Sequence, residues 1–125
     1  MRILLVEDHH PTRNEIRALI EQQADMTIVA ESATGEDALE KAREVHPDVV
    51  VMDILLPGLN GIEAARRIRV EHSSVRVLAL SNHIGESLVR AILDAGGLGY
   101  VRKSSAFEEL IPALRAVASG EQYVS

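Results

Sequence analysis

Five short apolar runs, each followed by a stretch with helical spacing, limit what this chain can fold into more than any other feature. The runs are Arg2–Val6, Thr27–Glu31, Val49–Asp53, Arg76–Leu80 and Gly99–Val101. Continuous apolar runs of this length read as parallel strands. The stretches between them gather apolar residues on one helical face. These are Ile16, Leu19, Ile20 and Gln23 in the first and Ala38, Leu39, Ala42 and Val45 in the second. Ile62, Ala65 and Ile68 line the third, Leu88, Ala91, Ile92 and Ala95 the fourth, and Leu110, Ile111, Leu114 and Val117 the fifth. Local signals mark the boundaries. Pro11 suits a helix start, Pro47 stops the second helix, and Asn60 is placed to cap the third. Gly96-Gly97 ends the fourth, Ser105 and Glu108 have the spacing of a capping box, and Gly120 ends the fifth. Five strand–helix repeats predict an α/β fold, a flavodoxin-like (βα)5 doubly wound parallel sheet with strand order 2-1-3-4-5.

Composition narrows the function. The 125 residues fit a single domain, 1–125, with no composition shift to mark a second. Apolar residues make up 46% and aromatic residues 2%, so aliphatic side chains must fill the core. A net charge of −6 gives no basic footprint for nucleic acid. Without cysteine there are no disulfides, zinc–thiolate sites or thiol nucleophiles. No apolar run approaches the ~18 residues of a spanning helix, so no membrane role is expected. Arg2 enters a strand with no signal-like segment before it. The expectation is a small cytoplasmic domain.

In open α/β sheets the ligand site lies beyond the carboxyl ends of the strands. The third run ends in Asp53, the first in Glu7-Asp8, and the fifth is followed by Lys103. In the predicted order the first and third strands are neighbours, so three carboxylates and an ammonium converge. Crowded carboxylates raise one another's pKa unless a cation sits among them. An all-oxygen cluster with room for water suits Mg2+. Taken singly, Asp53 reads as a strand-end turn residue, and Glu7-Asp8 as charge favoured at a helix start. Their joint position at corresponding strand ends makes the chemical reading the stronger one. The histidines do not compete with it. His9 and His10 are adjacent and diverge, while His46, His72 and His83 are scattered, with no pair at i, i+4. Gly96-Gly97-Leu98-Gly99 lacks the GxxxxGK[ST] pattern of a phosphate loop.

The segment Pro47–Gly61, the acidic pair in Leu4-Leu5-Val6-Glu7-Asp8-His9, and Ser81, Tyr100 and Lys103 together resemble the receiver domains of response regulators in two-component systems. The resemblance spans the whole chain. It implies that Asp53 accepts a phosphoryl group from a sensor histidine kinase, in a regulatory domain that is not an enzyme on external substrates. It implies Mg2+ held by Asp8, Asp53 and the backbone carbonyl of Leu55, with Glu7 acting through water. Lys103 would pair with a phosphoryl oxygen and the Ser81 hydroxyl would donate to another. Ser81 and Tyr100 would form a coupled switch, Tyr100 rotating inward as Ser81 moves toward the phosphoryl group. The output surface would be the fourth helix, fifth strand and fifth helix, with homodimerisation on phosphorylation.

Three departures stand out. Ser104 follows Lys103, where many receivers have proline. That change and the tail Gly120–Ser125 resemble the branch of NarL and LuxR transcription factors, which implies a helix-turn-helix DNA-binding domain beyond this chain. Asn82 is larger than the family's usual residue and is expected to narrow access to Asp53. Pro112 falls inside the fifth helix, removing a hydrogen bond and opposing the carbonyl of Glu108, so a kink or a bend is expected. Other classes fit less well. Aspartate-nucleophile phosphatases resemble DxDx[TV], but Asp53-Ile54-Leu55 has no second acid. A flavin phosphate would be repelled by Glu7-Asp8. A free-standing receiver and a phosphate-independent interaction module remain the alternatives.

Overall fold

A computed structural model describes residues 1–82 and 85–124. The elements run β1 (Arg2–Val6), α1 (His10–Glu21), β2 (Thr27–Ser32), α2 (Gly35–Val45), β3 (Val49–Asp53) and α3 (Gly61–Glu71). They continue with β4 (Arg76–Ser81), α4 (Glu86–Asp94), β5 (Gly99–Arg102), α5 (Ala106–Ala118) and β6 (Tyr123–Val124). The strands form one sheet in the order β2-β1-β3-β4-β5-β6, and every neighbouring pair is parallel. The expected doubly wound order is present, with one more strand than the apolar runs predict. β6 is only two residues long, below what a period-2 pattern can reveal. It is fixed from outside: the Tyr123 hydroxyl donates to Glu109 at 2.8 Å, and a Cβ on Gly99 would lie 2.3 Å from the Tyr123 carbonyl oxygen.

Alternation along the strands builds two cores. Ile3, Leu5, Val49, Val51, Leu78 and Leu80 face α1 and α5, meeting Ile16, Ile20, Leu110 and Leu114. Leu4, Val6, Val50, Met52 and Val77 face α2 and α3, meeting Ala38, Ala42, Ala64 and Ile68. A smaller cluster under α4 joins Ile54, Ala79, Ile92 and Tyr100.

The helix starts differ in how far sequence signals hold. Asn60 caps α3, its Oδ1 accepting the Glu63 N–H at 3.0 Å, and Thr34 caps α2 through the Asp37 N–H at 3.0 Å. α1 is capped by His9, whose ring nitrogen accepts from Thr12 N–H at 3.3 Å. The acidic pair is therefore free of that duty. The capping box at Ser105 and Glu108 does not form. A 3-10 turn over Lys103–Ser105 precedes α5, and Ser105 makes no side-chain cap. Its φ of −107° and ψ of 6° are not the extended geometry that aims an N-cap oxygen at the helix. Pro112 does not break α5, which is assigned without interruption from Ala106 to Ala118, and the proline ring side is exposed.

Candidate functional site

Parallel pairing puts the ends of β1 and β3 side by side, with Val6 opposite Met52. The next residues, Glu7 and Asp53, are thus delivered to one edge by strand register alone. Glu7 is fully buried and Asp53 is 3% exposed, whereas Asp8 is open to solvent. One carboxylate oxygen from each of the three lies within 4.8 Å of the others, the sole such group among the described residues. Lys103, delivered by the turn after β5, reaches across the edge. Its Nζ lies 2.5 Å from Glu7 Oε1 and 2.8 Å from Asp53 Oδ2.

The backbone completes the arrangement. Leu55 N–H donates to Asp53 Oδ1 at 3.0 Å, and His9 N–H donates to Glu7 Oε2 at 3.2 Å. The Glu7 N–H donates to the Ser32 carbonyl at 2.9 Å, and Arg13 donates to the Glu7 carbonyl at 2.9 Å. Arg13 went unnoticed in the sequence because its role appears only once the first turn of α1 packs beside β1. Gly61 is required by close approach, since a Cβ there would lie 2.4 Å from the Asp53 carbonyl oxygen.

The charges follow from burial. Desolvation is the largest influence on Glu7 and pushes its pKa above the ordinary 4.5; the nearby Asp53 charge adds to this, while Lys103 and the His9 amide oppose it. For Lys103 burial is again the largest single influence, and it acts downward. The hydrogen bonds and charges of Asp53 and Glu7 together outweigh it and hold the ammonium above the ordinary 10.5. Two carboxylates thus share one cation, and Asp8 adds a third negative group on the solvent side. Hard oxygen donors with one open flank fit Mg2+, which keeps several waters and binds through one or two carboxylates.

Ser81 is fully buried at the end of β4, one residue past Leu80, the pairing partner of Asp53. Tyr100 is 4% exposed on β5, in the cluster with Ile54, the residue after Asp53. Its side chain is buried in that cluster, beneath α4. Leu55 is exposed at the start of the loop after β3, and Asn82 is exposed beyond Ser81. The histidines hold a surprise. His46 and His72, 26 positions apart, end α2 and α3 and meet edge to face with ring centroids 5.9 Å apart. Sequence separation hid that contact, and His83 lies outside the described residues.

The sequence profile of the response regulator receiver domain matches residues 3–115. The response regulator GacA of Pseudomonas viridiflava is 34% identical over 125 residues, which is 100% of this chain and 58% of that protein. This chain thus spans less than two thirds of that curated relative. A two-component response regulator of the LuxR family from Aurantimonas sp. SI85-9A1 superposes with a TM-score of 0.94 at 42% identity, covering 98% of this chain and 87% of that one. The signal receiver domain of NarL from Mycobacterium tuberculosis gives a TM-score of 0.91 at 28% identity, covering 96% of this chain and 97% of that one.

Proposed function

The chain belongs to the receiver domains of response regulators, of the NarL/LuxR type, and from that premise we propose that Asp53 is its phosphoacceptor. A sensor histidine kinase would present a phosphohistidine at the carboxyl edge of the sheet. An Asp53 carboxylate oxygen bonds to phosphorus as the phosphorus–nitrogen bond to the donor breaks, leaving an acyl phosphate here and a free imidazole on the kinase. The loose transition state needs positioning and charge neutralisation more than acid–base help. Lys103 is already within reach of the Asp53 carboxylate, and the Ser81 hydroxyl lies at the neighbouring strand end. Mg2+ would be held by Asp8, Asp53 and the Leu55 carbonyl, with Glu7 acting through water. When bound, it supplies positive charge against the phosphoryl oxygens.

The observation that carries this reading is Lys103 spanning Glu7 and Asp53 beside Asp8. A structural ion pair alone would not require a third carboxylate on the open flank. Phosphorylation would then bias the α4–β5–α5 face, or dimerisation, to control a C-terminal DNA-binding domain in transcription regulation. The alternatives are a free-standing receiver and a phosphate-independent interaction module.

The test is mass spectrometry after incubation with acetyl phosphate, with and without Mg2+. A single adduct is expected, lost in Asp53→Asn and in chelator. An adduct that survives both would exclude Asp53, and its absence in the wild-type chain would favour the interaction module.

A further inference from the structure

We propose that Glu36, in the first turn of α2, is a positioning residue that makes the metal site selective for a small octahedral cation. The inference rests on the reading that the Leu55 carbonyl and the acidic cluster hold that cation.

The loop between β3 and α3 carries Leu55, and its two ends are pinned by the site itself. Ile54 N–H donates to the Leu80 carbonyl at 3.3 Å, and Gly61 N–H donates to the Ile54 carbonyl at 3.1 Å. Leu56 turns into the core beside α2. The far side of the loop passes through Gly58, whose φ of 71° is the left-handed conformation glycine tolerates. There the loop meets α2. Leu59 N–H donates to Glu36 Oε1, and a Cβ on Gly58 would lie 2.8 Å from each Glu36 carboxylate oxygen. A Cβ on Gly35 would lie 2.2 Å from the Leu59 carbonyl oxygen, so α2 abuts the loop at backbone distance.

The support under Glu36 is itself fixed. Asp37 accepts from the Ser32 hydroxyl at 2.8 Å, and Thr34 caps the helix. Ser32 also accepts the Glu7 N–H through its carbonyl. One segment, Ser32–Asp37, therefore holds Glu7 by its backbone on one side and the Leu55 loop through Glu36 on the other. It sets the separation between two parts of the donor set. Mg2+ demands near-ideal octahedral geometry, while Ca2+ accepts longer and less regular coordination. Loosening the loop therefore penalises Mg2+ more than Ca2+.

The experiment titrates Mg2+ and Ca2+ separately into the chain by calorimetry, for wild type, Glu36→Ala and Glu36→Gln, with a thermal melt of each. Glutamine loses the charge but keeps an oxygen to accept Leu59 N–H, so it separates the hydrogen bond from simple electrostatics. Glu36→Ala should weaken Mg2+ binding about tenfold, in the range for residues that orient metal ligands, and weaken Ca2+ binding clearly less. Glu36→Gln should keep the wild-type preference between the two ions. An unchanged preference in Glu36→Ala, or equal loss in alanine and glutamine, overturns the inference while leaving the metal site standing. Failure of the wild-type chain to bind Mg2+ overturns both.

Discussion

The two helices that flank β5 are built to different standards. α5 buries Ala106, Leu110, Ala113, Leu114 and Val117 against the central strands. α4 buries only Ile92, in a cluster of four with Ile54, Ala79 and Tyr100. Neither α4 nor α5 has a side-chain cap, so the difference between them lies in burial. Local opening is cheapest where few apolar contacts resist it. The α5 flank holds the turn that delivers Lys103, so the chemical groups keep their places. Among the described residues, the α4 cluster meets the site at Ile54 and Tyr100, a thin contact whose rearrangement would leave the sheet's pairing in place. If Asp53 is phosphorylated as proposed, the stiff flank would hold the chemical groups and the loose one would carry the response.

The largest effect that tests this contrast is on stability. Leu114→Ala should cost about 2–5 kcal/mol, because a fully buried leucine between α5 and the sheet leaves a cavity its neighbours cannot close. Ile92→Ala should fall at the low end of that range, since α4 can settle onto the sheet. Urea denaturation of both variants, fitted with a common slope, measures the difference. Equal losses would mean the flanks are equally packed and the division is wrong.

The stiff flank was also the legible one. Ile3–Val6 and Val49–Met52 are apolar throughout, so the central strands, their order and the meeting of Glu7, Asp8 and Asp53 follow from pattern and chirality rules. Lys103 was legible for the same reason, as the cation at the end of β5. What escaped depends on tertiary approach. β6 is too short to show a period, His9 takes over a cap that an acid was better suited to fill, and Ser105 is drawn into a 3-10 turn. Arg13, Glu36 and the His46–His72 contact join segments whose proximity no local spacing encodes. Tyr100 was legible as a residue but not in its degree of burial, which is set by the thin α4 cluster.

That burial sharpens the second prediction. Tyr100 is already buried, so under the proposed phosphorylation at Asp53 the Ser81 hydroxyl is the contact expected to bias the switch. Ser81→Ala should still accept phosphate at Asp53 but lose one charge-assisted hydrogen bond, shifting the equilibrium by about 1.5–3 kcal/mol. NMR shifts around Tyr100 and α4 with beryllofluoride, at equal occupancy, read the response. Identical changes in wild type and Ser81→Ala would place the switch elsewhere, and changes centred on α5 would reverse the assignment of flanks.

The smallest effect is a proton. Burial raises the folded pKa of Glu7 above 4.5, so its ionisation works against the metal-free fold. That cost appears as the pH rises past 4.5 and is complete above the raised value. Lys103 has the opposite sign: its raised pKa adds stability below 10.5 that is lost as the pH climbs through the folded value. Mg2+ favours the ionised carboxylate, so lowering the pH through the raised value of Glu7 should weaken Mg2+ binding by at most tenfold per unit, about 1.4 kcal/mol for one proton. Glu7→Gln should bind more weakly and show no such slope in the window above 4.5. The measurement also reports on stiffness, because burial is the largest influence raising Glu7 and hydration of that edge would relieve it. If wild-type affinity stays flat until the pH falls below 4.5, the edge beneath α1 and α5 is as yielding as α4, and the contrast between the flanks fails at the site itself.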